Sequence, residues 1–144
     1  MKVFNAILTM GLSIALVGPA FATSKSHNLK VRTCGVSGTV NSCSIGFSTG
    51  SDTAKLSFAA FIVPKGTTTV ICNYSTENEE VTGFSGADGD FIGGTIASGI
   101  LSGKLKEPST GLVNGSLAFG VSDSNPFKSH RVSFSNCHGV QWCV

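Results

Sequence analysis

The side chains able to do acid–base or nucleophilic chemistry are few. His130 stands beside Arg131 and His138 beside Cys137, while Glu77, Glu79 and Glu80 form a separate carboxylate group upstream. An imidazole changes charge near neutral pH and works as general acid or base. One histidine meeting one of these carboxylates with Arg131 nearby would therefore make a small hydrolytic, RNase-like centre. The spacing does not demand that convergence. The plainer reading assigns no catalytic residue and leaves His130 and His138 as weak candidates, surface histidines on a polar strand face and in a disulfide loop. Cys137 and His138 do not form an activated thiol pair either, because neighbours on a strand point to opposite faces.

The other groups with chemical potential are cysteines, carboxylates and asparagines. Cys34, Cys43, Cys72, Cys137 and Cys143 lack the two-residue ligand spacing of zinc sites, so no metal is expected there. Two disulfides and one odd thiol follow instead, each bridge worth about 2 to 4 kcal/mol. The expected pairs are Cys34 with Cys43 across a hairpin, and Cys72 with Cys137 or Cys143. Five carboxylates between Glu77 and Asp90, ending in Ala87-Asp88-Gly89-Asp90, make a hard cation conceivable. They miss the EF-hand pattern, and a solvated acidic loop accounts for them without a cofactor. Asn73-Tyr74-Ser75 and Asn114-Gly115-Ser116 are glycosylation sequons. Asn114 is the better acceptor if Asn114-Gly115 forms an exposed hairpin turn.

These residues have to be positioned by strands. Alternating apolar and polar residues, rich in Val, Ile, Thr and Phe and separated by Gly, Ser, Asn and Pro, predict strands over Leu29–Thr33, Thr39–Phe47, Ala54–Val63, Thr67–Tyr74, Glu80–Phe84, Phe91–Leu101, Gly111–Val113, Ser116–Ser122 and His130–Asn136. In KLSFAAF, Leu56, Phe58 and Ala60 share a face; in HRVSFSN, Val132 and Phe134 oppose Arg131, Ser133 and Ser135. Many short strands, 18 glycines and no alternation with helices predict an all-β fold, an antiparallel β-sandwich or small barrel. Loops expected to carry binding are Ser48–Asp52, Thr76–Glu80, Ser85–Asp90 and Ser122–Lys128.

The first residues fit a secretory signal: Lys2, an apolar run from Ile7 to Val17, and Ala20-Phe21-Ala22 as the cleavage site. Removing residues 1–22 of 144 leaves 122, residues 23–144, enough for one secreted domain with a real core. That part carries nine Lys and Arg against eight Asp and Glu, scattered along the chain, which disfavours a nucleic-acid partner.

Phe91–Lys106, FIGGTIASGILSGKLK, is uncharged for thirteen residues and then basic. As a helix, Ile92, Ile96 and Ile100 would line one face of a membrane-active segment. Four glycines, at about 0.8 to 1 kcal/mol each, weigh against that helix in water. The expectation is a buried central strand, with the three isoleucines on one face and a bend at Gly93-Gly94 or Gly99.

With the signal MKVFNAILTMGLSIALVGPAFA, a short mature part, a few cysteines and a β pattern, the chain resembles small secreted effector or toxin-like proteins of plant-associated fungi. The resemblance is one of organisation. It implies a secreted, extracellular, non-enzymatic protein acting in virulence by surface recognition of a host or extracellular protein or glycan. The competing readings are a killer-type toxin whose Phe91–Lys106 contacts membrane, and a small secreted hydrolase.

Overall fold

The runs that alternate Val, Ile, Thr and Phe with polar residues do form strands, because a pleated chain with one apolar face can bury that face only against another sheet. A computed structural model describes residues 31–47, 53–123 and 129–141. The expected signal segment 1–22, the expected Ser48–Asp52 loop, most of Ser122–Lys128, and Trp142 and Cys143 lie outside the described residues.

Among the described residues there are nine strands and no helix: β1 (Val31–Gly38), β2 (Cys43–Phe47), β3 (Thr53–Ile62), β4 (Thr69–Glu77), β5 (Glu79–Gly89), β6 (Phe91–Ala97), β7 (Ile100–Leu105), β8 (Leu112–Asp123) and β9 (His130–Val140). They form two sheets, a five-stranded one ordered β2-β9-β4-β7-β6 and a four-stranded one ordered β1-β3-β8-β5. All neighbours pair antiparallel except β1 and β3, which run parallel. The fold is the expected all-β sandwich. Both seams are bridged by consecutive strands, β1 to β2 on one side and β5 to β6 on the other, so the sandwich approaches a flattened barrel.

The core lies between the sheets. Leu56, Phe58, Leu117 and Phe119 enter it from the four-stranded sheet, and Val70, Leu101, Val132 and Phe134 from the five-stranded sheet. Phe58 meets Phe91 at a ring-centroid distance of 5.0 Å, and Phe119 meets Phe134 at 5.5 Å, both contacts crossing from one sheet to the other. Burying each such side chain contributes about 1.5 to 3 kcal/mol relative to exposure, so these pairs help clamp the layers together.

Local irregularities set which residues face inward. In β3 a bulge falls between Phe58 and Phe61, with Ala60 at φ 48°. Ala60 is therefore exposed, contrary to the alternation read from KLSFAAF, and Phe61 takes the inward place at 2 % exposure. A second bulge lies in β9 between Ser135 and His138, with Asn136 at φ 54°. It restores Cys137 to the core side, opposite Cys72.

The disulfides are Cys34–Cys43 and Cys72–Cys137. The first joins β1 to β2, strands of different sheets, so it closes a seam rather than crossing a regular hairpin. The second braces β4 against β9 inside the five-stranded sheet, with Cα atoms 4.1 Å apart.

The acidic stretch ending in Asp88-Gly89-Asp90 is mostly strand β5 and a corner, not a loop. Nor is Asn114-Gly115 a hairpin turn; it lies within β8. Asp90 accepts a hydrogen bond from the Asn114 amide through Oδ2 at 2.8 Å, and the Asp90 amide donates to the Asn114 carbonyl at 2.8 Å. Gly115, at φ 147°, permits this crossing: a Cβ there would sit 2.4 Å from the Asp88 carbonyl oxygen.

Phe91–Lys106 is likewise not one central strand. It folds as the β6–β7 hairpin, with Ala97 opposite Ile100 and a two-residue turn at Ser98 (φ 55°) and Gly99 (φ 83°). Positive φ at both central residues is the type I′ geometry that matches strand twist. Only β7 is central, and β6 is the sheet edge. The three isoleucines divide accordingly: Ile96 is buried, whereas Ile92 and Ile100 are 64 % and 42 % exposed.

Candidate functional site

The structure separates the two histidines. His130 begins β9 with the same inward alternation as Val132 and Phe134 and is buried, not displayed on a polar face. Its Nδ1 is 2.6 Å from the Asn78 carbonyl oxygen and 3.2 Å from Glu79 Oε2, with the two side chains 2 % and 0 % exposed. A carbonyl only accepts, so Nδ1 donates its hydrogen to Asn78, with the Glu79 carboxylate alongside. Asn78 reaches this geometry at φ 58°, as the single residue between β4 and β5, and its Nδ2 donates to the Ser129 carbonyl at 2.7 Å. Of the three carboxylates considered, Glu79 is the partner; Glu77 and Glu80 are exposed.

His138 is exposed, its Nδ1 2.7 Å from the Asn136 carbonyl in its own bulge. Cys137 beside it is buried in the disulfide, which confirms that the two point apart. The histidines thus do not converge with a carboxylate in one cleft, and Arg131 turns outward to donate to Ser44 Oγ at 3.1 Å. The Glu79–His130 pair links the two sheets inside the fold, where a substrate has no approach.

A serine-nucleophile spacing of the Gly-x-Ser-x-Gly type, Gly46-Phe47-Ser48-Thr49-Gly50, is present, against the expectation that the chain has none. Such an elbow needs a strand running into a helix. Gly46 and Phe47 end β2, and Ser48 to Gly50 lie outside the described residues. Among the described residues no group of three or more His, Cys, Asp or Glu side chains is arranged to hold a metal ion. Asn73 is exposed on β4, while Asn114 spends its Oδ1 on the amide of Ala60 at 2.8 Å, pinning the β3 bulge. Asn114 is exposed too, but on a strand with its side chain engaged, not in the hairpin turn expected of it.

What the fold does offer is a groove on the outer face of the five-stranded sheet, about 590 Å³ in volume, formed by β4, β7 and β6. Register explains its contents. Thr69, Lys104 and Gly93 make one row across the three strands, and Ile71, Ser102 and Thr95 the next. The register shifts between Phe91 and Gly93, a bulge that turns Ile92 out to the rim. A Cβ at Gly93 would meet nothing within 4 Å, so the space beside Lys104 is open, whereas one at Gly94 would strike the Ser102 carbonyl at 2.5 Å. A bulge and a bare glycine on a strand are features that re-aim side chains and let a ligand or second backbone come close. The signal was present as Gly93-Gly94, but only register shows which glycine faces out.

A second cleft of about 270 Å³ is lined by Asp90, Lys106, Glu107, Pro108 and Leu112 among others. It carries both signs of charge. No helix among the described residues is long and apolar enough to cross a membrane. No protein family, curated protein or solved structure was found to match this chain.

Proposed function

We propose that the chain is an exported, non-enzymatic recognition protein that engages a host or extracellular partner through the outer face of its five-stranded sheet. The observation that carries this reading is the groove over Gly93, one of whose strands, β4, is braced to β9 by the Cys72–Cys137 disulfide. Rigid strands hold such a surface ready, so little ordering free energy is lost on binding. Two disulfides are compatible with an extracellular setting. The effector-like role rests on the organisation of the sequence.

The hydrolase alternative loses its foundation because its best histidine is enclosed between sheets. A membrane-inserting helix from Phe91–Lys106 would have to extract Phe91, Leu101 and Leu105 from the core. The test uses the wild-type chain and Gly93→Trp, which fills the groove from a position with free space. Both are immobilised and exposed to extracellular extract of plant tissue. Saturable retention of a component by the wild type and its loss in the variant are expected; equal retention by both overturns the assignment of this face.

A further inference from the structure

The chemistry lining the groove narrows its ligand, on the reading that this face is the binding surface. Thr95 and Ser102 supply hydroxyls that donate and accept, Thr69 a mostly buried one at the groove's edge, Lys104 supplies one positive charge, and among the described residues no carboxylate lines the groove. The nearer acidic residue in sequence, Asp90, belongs to the other cleft and is held in its crossing with Asn114. Among the described residues no aromatic ring lines the groove either, so a neutral sugar would lack a stacking platform there and depend on hydroxyl exchange with water, which yields little net free energy. A charged acceptor over Lys104 changes that balance, because charge-assisted hydrogen bonds are about twice as strong as neutral ones.

Geometry adds direction. Gly93 and Thr69 flank Lys104 in its row, and the missing side chain at Gly93 leaves one flank of the ammonium open. Ser102 and Thr95 lie one row further along the sheet, where hydroxyl groups attached to the same ligand would fall. Ile92, 64 % exposed at the rim, offers an apolar edge for the carbon skeleton. The volume lies within the about 300 to 1,000 Å³ of small-ligand sites.

We propose that this groove binds a hexuronic acid unit of an acidic saccharide, with the carboxylate on Lys104 in the space beside Gly93 and the ring hydroxyls on Thr95 and Ser102. The carboxylate supplies the charge, the hydroxyls the match to a row of Ser and Thr, and the open groove accommodates a chain.

The test is titration of the full mature chain with trigalacturonic acid at low ionic strength, read by amide and side-chain NMR shifts. Saturable shifts confined to Thr69, Ile92 to Thr95, Ser102 and Lys104 are expected. Lys104→Gln should weaken binding about tenfold or more, Lys104→Arg should restore most of it, and added salt should weaken it. Gly93→Trp, checked for an unchanged melting temperature, should abolish it. Equal binding of neutral maltotriose, binding of a sulfated trisaccharide alone, shifts elsewhere on the protein, or unchanged affinity in Lys104→Gln each overturns the proposal. Failure with every saccharide while Gly93→Trp still loses the retained plant component would reject the uronic acid and leave the binding face standing.

Discussion

His130 Nδ1 lies 3.2 Å from Glu79 Oε2 across the interior of the sandwich, one residue from each sheet, with both side chains excluded from solvent. The pair sits where β5 leaves the Asn78 corner and β9 begins, so it ties the two sheets together at that end. Removing one member leaves the other buried without the group it was placed against.

Glu79→Ala and His130→Ala should therefore each lower stability by about 3 kcal/mol, since breaking a buried polar or ionic pair from one side costs about 3 to 5 kcal/mol when the remaining group stays charged and about 1 to 3 otherwise. The combined Glu79→Leu, His130→Leu chain should be more stable than either alanine variant, because apolar replacement of both partners is often close to neutral. Urea melts of the singles and the double provide the comparison, and a double variant as weak as the sum of the singles would remove the pair's structural role.

The disulfides should differ in weight. Cys72–Cys137 closes a chain separation of 65 residues and Cys34–Cys43 one of 9. Chain-entropy arguments give about 4 kcal/mol for the first and about 2.6 for the second. Replacing Cys72 and Cys137 together by alanine should cost the larger amount, and because it also opens the brace behind the groove, it should broaden the NMR lines of β4 and β9. Thermal melts of the two double variants test the order; a larger loss for Cys34 and Cys43 would reverse it.

Hydrogen exchange should divide the β6–β7 hairpin. β7 is paired on both sides, with β4 and β6, while among the described residues β6 pairs only with β7. Amides of Leu101 and Gly103 should exchange far more slowly than those of β6 pointing away from β7, as central strands open only with larger unfolding. Uniform protection along Phe91–Lys106 would favour the single-strand reading that the fold replaces.

The fold class was legible because period-2 alternation and turn residues recur along the whole chain. Register was less so. Ile92, Ile96 and Ile100 are evenly spaced and a strand would put them on one face, but the bulge before Gly93 and the turn at Ser98-Gly99 each change the face presented to the core. Ser-Gly is a turn dipeptide, a local cue for the hairpin, yet the surrounding apolar residues conceal it. Asn114-Gly115 misleads in the opposite way: a sequence typical of hairpin turns serves as the crossing point under Asp90. His130 looks like a surface histidine beside Arg131, yet the alternation in HRVSFSN places it with Val132 and Phe134 on the inward face. The groove arises from three strands distant in sequence, so no local pattern announces it.

Glycines offer the sharpest contrast between residues that look alike in sequence. Gly103 faces the core, and a Cβ there would lie 2.7 Å from both Leu117 Cδ1 and Phe91 Cε1. Gly93, in the neighbouring strand, faces open space without a left-handed backbone. Gly103→Ala should overpack the interface between sheets and cost about 1 to 3 kcal/mol, whereas Gly93→Ala should be neutral or slightly stabilising by restricting the unfolded chain. Chemical denaturation of the two variants measures the difference directly. If Gly93→Ala proved as damaging as Gly103→Ala, the outward face of β6, and with it the groove beside Lys104, would have to be abandoned.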